Sequence, residues 1–292
     1  MPEPLKNLYN DQLIRTLCNH LKNQYTDLDA EGFVNHVFDK EWNNKELKER
    51  MAHISESFQV FIPYDYAKVL AILKAVSPKF GGFEYMFFPG FVELYGMDHY
   101  EDSINALEHF TENSSSEFAV RPFIKQFPNK MMAQMNLWAE STNYHVRRLA
   151  TEGCRPRLPW AMALPEFKKD PRPILPILEK LKNDDSEYVR RSVANNLNDI
   201  SKDNPEIVLE IARKWLGSTK ETDWVIKHAC RSLLKQGQPE IMALFGFAKP
   251  DHIEIQNFKV QKQAEMGKDV AFSFTLASAE NKLGVPPPMK IL

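Results

Sequence analysis

Cysteine is scarce in this chain, and its three copies lie far apart. Cys18, Cys154 and Cys230 are odd in number and form no C-x-x-C pair. That excludes a disulfide framework and a zinc knuckle and suits a reducing cytoplasm. Neither sign of charge is in excess: 37 Lys and Arg face 39 Asp and Glu, for a formal net charge of −2. No global field therefore draws the protein to a polyanion or to anionic lipid, and any such affinity must come from a local patch. Long apolar runs are also missing. None approaches the length that spans a bilayer, so no membrane partner is expected, and MPEPLKNLYNDQLIRTL lacks the uninterrupted apolar stretch of a signal peptide. Several chemical signatures are absent too. G-x-x-x-x-G-K-[ST], G-x-G-x-x-G and H-E-x-x-H do not occur, nor does a serine-hydrolase elbow. His252-Ile253-Glu254 has no P-C-x-x-C after it to complete a zinc deaminase signature. The expectation is a protein with no cofactor and no metal.

What remains is a globular composition, 43% apolar and 26% charged over 292 residues, long enough to bury a sizeable core. Most of it reads as helix. Leu13, Ile14, Leu17 and Leu21 share one face, and Val69, Leu70, Ile72, Leu73 and Val76 another. The aromatic-rich FEYMFFPGFVELYG, 83–96, reads as a buried loop-and-helix junction in preference to a base-stacking platform. From about residue 138 the chain repeats itself: YHVRRLA returns as YVRRSVA, with Val146 and Val189 43 residues apart, within the period of HEAT-type helix pairs. PRPILPILEKLKND and PEIVLEIARKWLG each open a unit with proline, which suits a first helical turn. The predicted fold is all-α, a HEAT-like solenoid of antiparallel helix pairs over residues 1–248. After it, Val270, Phe272, Phe274 and Leu276 alternate as in a strand. Residues 249–292 are too few for a β-sandwich, which needs roughly a hundred. They read as a truncated β segment that the prolines of LGVPPPMKIL bring to a stop.

HVRRLATEGCRPRLPW, 145–160, concentrates four arginines around one acid and ends on an indole. On a helical wheel, Arg148 and Glu152 share the polar face of one repeat. In the next, Arg191, Asn195 and Asn198 point away from the stripe Val189, Val193, Leu197 and Ile200, with Asp199 beside them. Upstream, Glu117, Arg121 and Lys125 are again four apart. Such pairs on a helix are most often solvated surface bridges of a few tenths of a kcal/mol. Three features set these apart. Arg147, Arg148, Arg155 and Arg157 outnumber Glu152; Arg155 and Arg157 sit in a proline-broken loop; and Asn195 and Asn196 take helical positions at a cost in propensity. Arginine forks suit phosphate oxygens, so a curved row of them would track a nucleic-acid backbone. Trp160 has two readings, a core residue capping a repeat or a π face for a cationic or planar ligand. Phe118, Phe123 and Phe127 are expected in the core.

SSSEFAVRPF, HVRRLATEGCRPRLPWA and SEYVRRSVANNLNDISKDNP resemble the AlkC branch of the AlkC/AlkD-type bacterial DNA alkylation repair glycosylases, over most of residues 1–248. The resemblance implies HEAT-like repeats with a concave DNA-binding face, and hydrolysis of the N-glycosidic bond of alkylated bases such as 3-methyladenine as the first step of base excision repair. It implies Glu117, Glu152 and Asp199 as catalytic carboxylates and Trp160 as the substrate-binding aromatic. Arg121, Arg147, Arg148, Arg155, Arg157, Arg190, Arg191 and Asn195 become the DNA-binding residues. An immunoglobulin-like domain occurs in one subgroup and would account for the strands after 250, although KLGVPPPMKIL departs from its pattern. The implied partner is double-stranded DNA containing alkylated bases, met by a monomer in the cytoplasm at the nucleoid. Two alternatives stay open: a catalytically inactive HEAT-repeat module binding bent or damaged DNA, and a protein-binding scaffold.

Overall fold

The structure is a computed structural model and describes residues 3–247 and 253–278. Its helices in chain order are α1 Asp11–Lys22, α2 Ala30–Val37, α3 Leu47–Phe61, α4 Tyr66–Val76, α5 Phe87–Tyr95, α6 Tyr100–Thr111, α7 Val120–Gln126 and α8 Pro128–Trp138. They continue as α9 Tyr144–Glu152, α10 Pro165–Lys169, α11 Leu175–Leu181, α12 Glu187–Ile200, α13 Pro205–Trp215, α14 Lys220–Ala229, α15 Arg231–Lys235 and α16 Pro239–Leu244. Two strands follow, β1 Ile253–Val260 and β2 Phe272–Ser278. The chain forms two compact units, Met1–Cys230 and Arg231–Leu292. Among the described residues no helix is long and apolar enough to cross a membrane.

Local chemistry sets the helix starts. The side chains of Asn10, Asp29, Asp65, Asn143 and Thr219 accept from backbone N–H groups in the first turns of α1, α2, α4, α9 and α14, which would otherwise lack partners. Proline stands in the first two positions of α8, α10, α11, α13 and α16. In the 83–96 segment Phe87, Phe88 and Phe91 are buried, and Phe88 stacks on Phe58 of α3. The junction reading holds there, and those rings are unavailable to bases.

The repeats stack as antiparallel pairs. α12 lies between α9 and α14, and α11 and α13 pack against it as well. The stripes meet inside: Val146, Leu149 and Ala150; Val189, Val193, Leu197 and Ile200; Val225, Ile226 and Ala229 are all buried. Flanked on two sides, α12 keeps only a narrow outer strip. Arg191 is on it and Asn195 is half-buried, but Asn198 and Asp199 are inside, contrary to the outward face the wheel assigns Asn198. The asparagines explain themselves here. Asn196 donates to the Thr151 carbonyl of α9 at 2.8 Å and Asn198 to the Ala229 carbonyl of α14 at 2.8 Å. Each satisfies a helix-end acceptor of a neighbour, which offsets the lost propensity.

The second unit contains α15, α16 and the antiparallel pair β1–β2, with Ile255 opposite Leu276 and Val260 opposite Phe272. The register breaks between Gln256 and Lys259, where Asn257 takes a positive φ of 56°. β2 follows the alternation of Phe272, Phe274 and Leu276. The expected boundary at 248/249 and the proline tail 282–292 lie outside the described residues.

Candidate nucleic-acid interface and carboxylate row

The three expected acids are joined by two of the expected arginines. Glu117 precedes α7, Glu152 ends α9 and Asp199 lies near the end of α12. Arg148 pairs with Glu117 through Nη1 and with Glu152 through Nη2 at 3.4 Å. Arg155 carries the row onward, from Nη1 to Glu152 Oε1 at 2.7 Å and from Nε to Asp199 Oδ2 at 2.9 Å. Lys202 closes it on Asp199 Oδ1 at 3.2 Å. Acid and base thus alternate over six side chains: Glu117, Arg148, Glu152, Arg155, Asp199, Lys202.

The row is sheltered, which decides against solvated surface bridges. Glu152 is 5% exposed, Arg155 7% and Asp199 2%. Burial pushes the Glu152 carboxyl up, but Arg148, Arg155 and the Ser192 hydroxyl outweigh it and hold it below the usual glutamate range. Burial lowers Arg148 and Arg155 in the same way, and their facing carboxylates more than restore them. Glu152 is fully engaged, with Oε1 facing both guanidiniums and Oε2 accepting from Ser192 Oγ at 2.6 Å. Ser192 in turn accepts from Thr151. Glu117 keeps Oε1 without a hydrogen-bond donor among the described residues, while Oε2 accepts from Ser115 at 2.8 Å and from Arg148. Arg148 also lies 4.8 Å from the half-exposed Tyr188 ring.

Trp160 is 61% exposed, so the core reading fails. Its backbone is left-handed, φ 62°, a conformation that costs a non-glycine residue roughly 1–2 kcal/mol and must be held by its surroundings. The holding contacts surround the loop after α9. Arg121 donates to the carbonyls of Gly153 at 2.9 Å, Arg155 at 2.9 Å and Met162 at 2.7 Å. Lys48 of α3 donates to the Trp160 carbonyl at 2.9 Å. Phe83 meets the indole edge-on at 6.1 Å. No hydrogen bond or ring contact among the described residues joins the indole to the three acids.

The expected DNA-binding residues divide. Arg121 is a correction: it is fully buried, burial pushes its guanidinium down to about 10, and its Nε and Nη1 donate to backbone carbonyls. No phosphate reaches it. Arg155 likewise lies within the carboxylate row. Arg147 forks onto Asp184 at 2.6 and 2.9 Å and onto the carbonyls of Ser141 and Thr142. Arg190 donates to the carbonyls of Asp184 and Asp185. Both brace loops. Asn195 meets His228 of α14 at 3.1 Å. Arg157 pairs with Asp203 at 2.7 Å and Arg191 with Glu187 at 2.5 Å. These last two are solvent-facing and can exchange a carboxylate for a phosphate. Phe118 and Phe123 are buried as expected, and Phe127 is half-buried.

Sequence reasoning missed Ser115, Ser192, Lys202 and Lys48. Ser115 and Lys202 had a local signal, two residues before Glu117 and three after Asp199. Among the described residues no group of three His, Cys, Asp or Glu is placed to hold a metal ion.

With this geometry in view, three comparisons agree. A family model described as DNA alkylation repair enzyme matches residues 96–233, a span containing all three acids and Trp160. "Uncharacterized protein YhaZ" of Bacillus subtilis (strain 168) is 46% identical over 275 residues, covering 94% of this chain and 77% of that protein. The solved Pseudomonas fluorescens alkylpurine DNA glycosylase AlkC, bound to DNA containing an abasic site analog, is 38% identical with a TM-score of 0.82. That match covers 96% of this chain and 78% of the other. The chain belongs to the AlkC branch of the DNA alkylation repair enzyme family.

Proposed function

We propose that this protein is a DNA glycosylase that hydrolyses the N-glycosidic bond of cationic alkylated bases, 3-methyladenine foremost, in duplex DNA. The observation that carries the reading is the single row joining Glu117, Glu152 and Asp199 through Arg148 and Arg155. Alkylation at N3 of adenine makes the base a cation and a better leaving group. As the bond breaks, positive charge develops on the sugar. Preorganised carboxylates stabilise such charge, which is often the largest catalytic contribution. Asp199 serves the sugar and the attacking water; Glu117, with its free oxygen, and Glu152 serve the lesion side. Trp160 offers an exposed π face to the cationic base.

In the structure Lys202 covers Asp199 Oδ1, and its own side chain is 42% exposed. A DNA phosphate drawing Lys202 away frees that oxygen for water. Arg157 and Arg191 are the guanidiniums positioned to take flanking phosphates, which fix register on the duplex. The partner is double-stranded DNA with alkylated bases, bound by a monomer in the cytoplasm without a cofactor. The deciding experiment is mass spectrometry of bases released from alkylated duplex DNA, wild type beside Asp199→Asn. Free 3-methyladenine from the wild type, much reduced in the folded variant, is expected. Binding with no release by either protein would favour the inactive damaged-DNA binder.

A further inference from the structure

Lys48 lies on α3, outside the matched span 96–233, yet it touches the site at two points. Its ammonium donates to the Trp160 carbonyl across 112 residues of sequence. The same Nζ stands 5.1 Å from the centre of the Phe118 ring, next in sequence to Glu117. Lys48 also lines a cavity of about 210 Å³ together with Glu93, Ser115 and Phe118, and Ser115 donates to Glu117 beside Arg148. The Trp160 peptide is left-handed and follows Pro159, so its conformation depends on outside contacts. Arg121 holds the loop on both sides of Trp160, at Arg155 and Met162. Lys48 holds the Trp160 carbonyl itself.

We infer that Lys48 is a positioning residue for Trp160: by anchoring the strained carbonyl it fixes the direction of the exposed indole relative to the Glu117 end of the carboxylate row. The inference deepens the glycosylase reading and rests on it for its kinetic consequence. It has no need of a phosphate or a base at Lys48. An ammonium donating to an exposed carbonyl is a modest contact, so the effect is on precision and not on folding.

The test uses the full chain with Lys48→Met, which keeps length and removes the donor, and Lys48→Arg, which keeps a donor. Each is also made with Trp160→Ala for kinetics and with Trp160→Phe for fluorescence. Subtracting the Trp160→Phe signal isolates Trp160 from Trp42, Trp138, Trp215 and Trp224. Lys48→Met lowers the steady-state anisotropy of Trp160 and slows single-turnover base release about five-fold, equivalent to about 1 kcal/mol. DNA affinity is unchanged. Lys48→Arg restores both signals, and Lys48→Met adds no further loss to Trp160→Ala. Equal losses in the two backgrounds, with weaker DNA binding, would make Lys48 a phosphate contact and overturn the assignment. Unchanged Trp160 anisotropy overturns it as well. If the unmodified protein releases no base, the glycosylase reading fails, and the anisotropy still decides whether Lys48 sets Trp160.

Discussion

α9 and α12 share Val-Arg-Arg in their first turn and a half, with a tyrosine one or two residues before it, and they use it differently. The first arginines behave alike. Arg147 donates to the carbonyls six and five residues before it, Ser141 and Thr142, and Arg190 does the same with Asp184 and Asp185. Each closes the loop that leads into its own helix. The second arginines part company. Arg148 turns inward to Glu117 and Glu152, with its side chain 13% exposed. Arg191 turns outward to Glu187, its side chain 55% exposed, and lies 5.7 Å from the Trp224 ring. The cause is what each helix meets. Six residues past the valine, α9 has Glu152 and α12 has Asn195. Upstream, α9 faces the turn carrying Ser115 and Glu117, whereas α12 faces α9 itself. The repeated motif is therefore mainly scaffold, and one arginine of one repeat has entered the site.

The largest effect that tests this asymmetry comes from removing the inward arginine. Arg148→Met leaves Glu117 and Glu152 facing each other in a sheltered place, at a cost of about 3 kcal/mol. Base release falls by about a hundred-fold or more, as when one preorganised electrostatic contact is lost. Denaturant unfolding and single-turnover release from alkylated DNA measure the two. If Arg148→Met matches wild type in both, the row is not a working unit.

Next in size are the loop braces. Arg147→Met costs about 2 kcal/mol, because it loses a forked pair with Asp184 as well as two carbonyls. Arg190→Met loses the carbonyls alone and costs about 1 kcal/mol. Neither change slows release once the protein is folded. A variant at either position that stays stable while losing DNA affinity would return that arginine to phosphate binding.

The repeat register was open to sequence reasoning because valine spacing reports a core stripe directly. The acids at 117, 152 and 199 were found through motif resemblance, and their proximity was not visible on any single helical wheel. A wheel gives the direction in which a side chain leaves its own helix, and says nothing of the element across from it. Arg121 shows the consequence. Its spacing to Glu117 and Lys125 implies a polar face, but α7 turns it onto the 153–162 loop and buries it. Ser192 reaches Glu152 from 40 residues away and Lys48 reaches Trp160 from 112. Contacts so distant in sequence leave no local trace.

A smaller effect follows from Glu152 having no acidic counterpart in α12. Its carboxyl is depressed in the folded state, so its stabilising contribution is complete above the ordinary glutamate value of about 4.3 and disappears as pH falls through the lower folded value. Ser192→Ala removes one hydrogen bond to the charged form. It costs about 1 kcal/mol at neutral pH and raises the midpoint of acid unfolding. Acid titrations followed by circular dichroism compare the variant with wild type. Equal midpoints for wild type and Ser192→Ala would show that Glu152 does not depend on this hydroxyl.

The smallest effect belongs to the outward arginine. Arg191 forms an exposed i,i+4 pair with Glu187, and such pairs contribute about 0.3–0.5 kcal/mol. Arg191→Met therefore leaves the unfolding midpoint almost unchanged. Its consequence is in DNA binding: one fewer cation near the backbone lowers the slope of log affinity against log salt by about one, with release from saturated complex unaltered. Glu187→Gln frees the same guanidinium and moves affinity the other way. If both variants bind DNA with the wild-type salt slope, the outer face of α12 lies away from the phosphates, and the interface is confined to the loop after α9 and the row behind it.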